Sequence, residues 1–138
     1  MKIFDAKILL TAAAVQIVCQ LFKLFYYSRK DKRFSLKYLV SPGGMPSAHT
    51  AFVCSLTTAL GIKQGFTSDI FALSAVFSLI IIYDAYRLRG IVQKHSILIN
   101  TLVSKEKRVT EMVGHSIPEI FIGFCFGTGV TALIFLLF

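Results

Sequence analysis

Charge is scarce in this 138-residue chain, at 16% of residues, and acidic charge is scarcer, with seven Asp and Glu against fifteen Lys and Arg. Tryptophan is absent, and cysteine occurs only three times. With 55% hydrophobic residues and 13 Phe, the shortage of charge excludes an ordinary soluble domain. A domain this small leaves much of its surface in water and could not hide four long apolar stretches in one core. The shortage of length excludes a second domain, so residues 1–138 are read as one membrane domain. Cys19, Cys54 and Cys125 each sit inside an apolar run and form no CxxC pair. That pattern speaks against a disulfide or metal role. The net charge of +8 suits anionic lipid head groups or phosphate substrates. Against this hydrophobicity, nucleic acid is the least fitting partner, and none is expected.

A helix crossing the hydrocarbon core needs roughly 20 mostly apolar residues. Four segments approach that length: 3–27, 47–62, 67–83 and 117–138. The basic start and apolar run at the N-terminus have the look of a signal peptide. The run continues too far and ends in aromatics and lysine, so it reads as a helix. Lys23, near its end, is expected to extend to the interface. The second and third segments are short, which predicts a thin or tilted bundle and leaves room for a homodimer to cover them. Between the third and fourth, residues 90–109 place Ile91, Ile97, Leu98, Thr101 and Leu102 near one face, beside Lys94 and Asn100. That stretch predicts an amphipathic interfacial helix. The expected fold is an all-α membrane bundle of about four transmembrane helices plus this one.

Basic residues distribute unevenly. Arg29, Lys30, Lys32, Arg33 and Lys37 fall in the first loop, and Arg87, Arg89, Lys94, Lys105, Lys107 and Arg108 in the third. Only Lys2, Lys7 and Lys63 fall on the opposite side. Short cytoplasmic loops carry the excess of Lys and Arg, so the first and third loops are expected in the cytoplasm and both termini outside. The competing reading of most of these residues is that their charge sets topology and nothing more.

Two strings carry chemistry. In 41–52, SPGGMPSAHTAF, Gly43 and Gly44 allow a tight turn, Pro46 suits a first helical turn, and Ser47 can cap the helix or sit in it. A helix start aims free N–H groups at whatever lies before it, which favours a phosphate, and His49 would stand one turn inside. The competing reading is a plain turn, with His49 a satisfied polar residue at the membrane surface. In 111–127, EMVGHSIPEIFIGFCFG, His115 and Glu119 are spaced i,i+4 on one helical face. A carboxylate beside an imidazole fixes its tautomer and leaves the other ring nitrogen free to attack or to move a proton. Glu119 as a surface ion partner is the alternative, although an ionisable residue at the mouth of an apolar span is costly unless used or paired. Because the second and fourth spans both start from the basic side, His49 and His115 are expected at one surface.

Together these strings resemble the type 2 phosphatidic acid phosphatase superfamily, whose members carry Pro-Ser-Gly-His and a later His followed four residues on by Asp. Here the residues are Pro46-Ser47-Ala48-His49, and His115 with Glu119. The similarity is greater to a divergent branch of small membrane proteins with Gly-Gly-Met-Pro-Ser-x-His, Tyr-Asp-Ala, a later Asn and Gly-His-x-x-x-Glu. Residues 41–127 follow that order, with Tyr83-Asp84-Ala85, Asn100 and Gly114-His115 in place. The resemblance implies a metal-independent lipid-phosphate phosphatase with no cofactor. In it His115 attacks phosphorus, Glu119 orients His115, His49 protonates the leaving oxygen, and water cleaves the phosphohistidine. Ser47, the Gly44 backbone and basic side chains would hold the phosphoryl oxygens. The superfamily's basic motifs are matched imperfectly: Tyr38 stands where Pro is expected after Lys37, and Arg108 is one residue off register. Lys37, Arg89 and Arg108 are therefore the candidate phosphate clamps. Asp84 either pairs with an Arg in the site or holds charge at the interface; Asn100 is expected near the site.

The expected substrate is a membrane lipid phosphate held in the bilayer. A cytoplasmic site favours phosphatidylglycerophosphate, with undecaprenyl diphosphate or phosphatidic acid as alternatives. A non-catalytic membrane interaction protein with a degenerate site and a vanadate-dependent haloperoxidase are the rival readings.

Overall fold

The computed structural model describes residues 6–40, 44–111 and 114–138, apart from the side chains of Lys37 and Val40. The described residues form α1 (Ala6–Lys30), a single turn α2 (Lys37–Val40), α3 (Ala48–Gln64), α4 (Asp69–Tyr86), α5 (Leu88–Leu102) and α6 (Ile117–Leu137). A short 3-10 turn, Lys105–Lys107, precedes α6. Three apolar runs are long enough to cross a membrane: α1, the stretch spanning α4 and α5, and α6. α3, at 17 residues, is the fourth member of the bundle and its centre, packed against α1, α4 and α6. The expected all-α membrane bundle is the one observed.

Small residues explain why α3 and α6 lie so close. A Cβ on Gly123 would come within 2.6 Å of the Ser47 carbonyl oxygen, and one on Gly127 within 2.9 Å of the Ala51 Cα. The two glycines, four apart, form a small-xxx-small face that lets backbones touch where apolar lipid supplies no drive to associate. Across the seam, Ser55 and Thr131 share a hydrogen bond of 2.5 Å. Val15 and Cys19 of α1 join Ala48 and Ala51 in the buried core, with Phe126, Val130 and Ile134 of α6 against them.

α4 is built inside out. It buries Ser74 and Ser78 and exposes Leu73, Val76, Phe77, Leu79 and Ile80. Ser78 and Thr57 of α3 hydrogen-bond at 2.8 Å, and Ser78 also donates to the Val53 carbonyl at 3.2 Å. Apolar surroundings leave such groups no water to turn to, so they pair between helices.

Two expectations shift. The amphipathic helix ends at Leu102, and residues 103–109 leave it for an extended path with the 3-10 turn. The physical reason is Asn100, whose amide accepts from the Val109 N–H and donates to the Val109 carbonyl, both at 2.8 Å, folding the chain back. Pro46 precedes α3 instead of opening it, after a cis peptide bond with Met45, and Ser47 takes the N-cap.

Candidate active site

At the end of the bundle where α1 and α4 finish and α3 and α6 begin, the two histidine strings meet. Ser47 caps α3 by accepting from the Thr50 N–H at 3.4 Å and from its hydroxyl at 3.0 Å. The Ser47 N–H donates to the Glu119 carbonyl at 3.1 Å, tying the start of α3 to the first turn of α6. Gly44 has φ of +91°, and a Cβ there would lie 2.6 Å from the Tyr27 hydroxyl, which accepts from the Met45 N–H at 3.0 Å. Glycine is thus required by both backbone shape and space.

His115 is held from three sides. Its N–H donates to the Ala85 carbonyl at 3.2 Å, and the preceding Gly114 N–H donates to Gln93 Oε1 at 3.0 Å. Its Nδ1 lies 3.1 Å from Glu119 Oε2, which also accepts from the Ser116 N–H at 3.1 Å in a capping-box arrangement. One carboxylate therefore both caps α6 and orients the imidazole. The side chain of His115 is fully buried and its Nε2 has no hydrogen-bond partner among the described residues, nor has the buried Nδ1 of His49. The two rings meet edge to face, with centroids 6.4 Å apart. Unpaired buried polar atoms are uncommon, so these two, on neighbouring imidazoles, are candidates for contact with a ligand.

Burial pulls His115 below the ordinary imidazole value; the Glu119 hydrogen bond and charge oppose this, while Lys23 and Arg89 push in the same direction as burial. Burial thus favours the neutral form of His115, and a proton on Nδ1 toward Glu119 would leave a lone pair on Nε2.

Lys23 was expected at the interface. The structure corrects this: it is 1% exposed, and its charge acts on His49, His115 and Glu119. The signal was its place on the buried stripe of α1, since Thr11, Val15, Cys19 and Lys23 are each four residues apart. Arg89 also acts on both imidazoles, and its Nε lies 3.1 Å from Asp84 Oδ2, so Asp84 pairs with an Arg beside the site. Arg108 is exposed and lines none of the described cavities. The Lys37 side chain lies outside the described residues. Asn100 does not line the cavity either; it holds Val109 and, through Nδ2, Glu111 at 2.8 Å.

Beside His115 opens a cavity of about 570 Å³, which His49 does not line. Its floor includes Gly44, His115, Ser116 and Glu119, and its far wall is the face of α5 bearing Gly90, Gln93, Lys94 and Ile97. A sequence profile of the divergent PAP2 family matches residues 4–130. The chain belongs to the divergent PAP2 family. Among relatives is the uncharacterized membrane protein YuiD of Bacillus subtilis (strain 168), 30% identical over 134 aligned residues that cover 83% of this chain and 85% of the relative. No solved structure matches the chain significantly. As a divergent PAP2 protein, the chain is a phosphatase-related integral membrane protein, and the family's name agrees with a site that brings together two imidazoles, a carboxylate and two buried or half-buried cations.

Proposed function

We propose that this protein hydrolyses a membrane lipid phosphate by two-step, metal-independent phosphoryl transfer through His115. The observation that carries the reading is His115 itself, with Nδ1 held by Glu119, Nε2 buried and unpaired, and the ring centroid 6.4 Å from that of His49. His115 Nε2 attacks phosphorus as the ester bond breaks, and His49 gives its proton to the leaving oxygen. Glu119 stabilises the imidazolium character that develops on His115. His49 then takes a proton from water, which displaces the phosphoryl group from His115 and releases inorganic phosphate. Lys23, Arg89 and the free N–H groups at the start of α3 stabilise the equatorial oxygens.

A lipid substrate is supported by a second groove of about 610 Å³ between α4 and α6, lined by apolar residues such as Leu79, Ile80, Ile117 and Ile120. Tyr86 lines both this groove and the histidine cavity, so an acyl or prenyl chain in the groove would reach the site with its head group. The site sits at the end of the bundle flanked by the two basic loops, which supports a cytoplasmic face in the cell membrane. On that face phosphatidylglycerophosphate is the best-fitting substrate. A reporter active only outside the cytoplasm, fused to either terminus, should be active; silence at both would reverse the orientation.

The test is phosphate release by the purified protein from phosphatidylglycerophosphate, phosphatidic acid and undecaprenyl diphosphate in EDTA, beside His49→Ala and His115→Ala. Release that survives EDTA and disappears in both variants is expected. The rival reading, a membrane interaction protein with a degenerate site, is favoured by the capping role that Glu119 fills without any chemistry and by the remoteness of Arg108. Absence of release from well-folded protein would select it.

A further inference from the structure

Two separate pairs of cations face this site. The inner pair, Lys23 and Arg89, acts on both imidazoles. The outer pair, Arg87 at the α4–α5 junction and Lys94 of α5, lines the cavity and is not among the charges acting on either ring. Arg87 and Lys94 stand seven positions apart, about two helical turns, and so share one stripe. Neither has an ion-pair partner among the described residues. Between them Gly90 leaves the wall open, since a Cβ there would meet nothing within 4 Å. At about 570 Å³ the cavity is several times larger than one phosphoryl group and within the range of sites that take whole small molecules. A lipid with a single phosphate, bound at the histidines, would leave Arg87 and Lys94 without a counter-charge across an open space.

We infer that Arg87 and Lys94 bind a second anionic phosphorus group of the substrate. The site then selects amphiphiles with two such groups: either a diphosphate, or a phosphomonoester joined through a short polar head group to a phosphodiester. This inference rests on the phosphatase reading above and names the substrate class for it. Arg87 suits the role through its forked donors, and Lys94 as a mobile point charge at the rim.

The test compares kcat/KM of the full-length protein in mixed micelles on phosphatidylglycerophosphate, a prenyl diphosphate and phosphatidic acid, for the wild type and the double variant Arg87→Gln/Lys94→Gln. The wild type should favour at least one two-anion lipid over phosphatidic acid by roughly ten-fold or more. The double variant should lose about ten-fold of that preference, mostly through KM, because the contact is made equally before and during the reaction. Which two-anion lipid is preferred tells whether the second anion is adjacent to the scissile group or a head group away. A preference unchanged in the double variant, or equal loss on all three lipids, would overturn the inference. A binding arm separates it from the phosphatase reading: His115→Ala protein, with and without the two substitutions, is titrated with short-chain phosphatidylglycerophosphate, a short prenyl diphosphate and short-chain phosphatidic acid. If no lipid releases phosphate yet a binding preference exists and vanishes on substitution, the phosphatase reading falls and the second-anion site stands. Equal affinity for phosphatidic acid and both two-anion lipids would overturn the site on its own.

Discussion

The α3–α6 seam and the α5 arm sit on opposite sides of one cavity and are held together by different means. The seam is backbone against backbone, with Gly123 at Ser47 and Gly127 at Ala51. The arm, α5 with residues 103–111, is mostly exposed; Asn100 holds its own return segment at Val109 and Glu111, and polar ties join it to the rest of the chain, Arg89 to Asp84 and Gln93 to Gly114. Groups that must meet with small tolerance, His49, His115 and Glu119, lie on or beside the seam. Of the two cations inferred to read a second head-group charge, Lys94 lies on the arm and Arg87 stands at the α4–α5 junction where the arm begins. Under the proposed function, rigid packing goes with the reacting imidazoles, while the more loosely tied element carries Arg89 and part of head-group recognition.

The contrast is broken most severely at the seam's own chemistry. His115→Ala should lower kcat by about 10⁴-fold or more, with folding retained, since loss of the nucleophile removes the covalent route. Glu119→Gln should cost about 10²–10⁴-fold, because the amide keeps the cap but no longer stabilises the imidazolium. This variant also tests the pH dependence. Activity needs neutral His115, which burial holds below the ordinary value near 6.5, so the acid limb of kcat/KM should lie below that pH. Glu119 opposes the depression, so its neutralisation should move the limb further down. A limb at or above pH 7 in the wild type would contradict the assignment of His115 as the neutral nucleophile.

Packing at the seam comes next. Gly127→Ala would press a methyl into the Ala51 backbone and should destabilise the protein by about 1–3 kcal/mol, read as a lower melting temperature in detergent. Gly129→Ala on the same helix meets nothing within 4 Å and should leave the melting temperature unchanged or slightly raised. Equal effects of the two would show that helix propensity, and not the seam, decides stability here.

The same division explains what could be read from sequence. The four helices were legible because length and apolar content are local properties. The pairing of His115 with Glu119 was legible because i,i+4 geometry follows from the helix itself. Lys23 was misplaced because a lysine near a helix end ordinarily extends to water, and only its register with Thr11, Val15 and Cys19 shows that it turns inward. The candidate clamps were picked by spacing from motifs. The positions of Arg89 and Arg108 depend on the handover from α4 to α5 at Arg87 and on the fold-back after Leu102, and neither of these tertiary features is encoded in a spacing. Asn100 was expected near the site, but its amide holds the return of the chain at Val109 and does not line the cavity.

That role gives the mildest and most local prediction. Asn100→Ala removes two hydrogen bonds to Val109 and one to Glu111, each from a 6% exposed side chain. The Val109 N–H and carbonyl would then turn to water, since Val109 is itself exposed, so the loss should fall at the lower end of about 1–3 kcal/mol. Being confined to the arm, it should appear as roughly ten-fold faster amide exchange at Val109, because 1.4 kcal/mol corresponds to a factor of ten. The melting temperature, governed by the seam, should barely move, and the pH limb set by His115 should stay in place. Asn100→Asp should recover part of the protection, because one oxygen still accepts from the Val109 N–H while the donor to its carbonyl is gone and a carboxylate faces Glu111. If Asn100→Ala instead lowered the melting temperature as far as Gly127→Ala, the arm and the seam would be one cooperative unit, and the separation of recognition from chemistry would lose its physical basis.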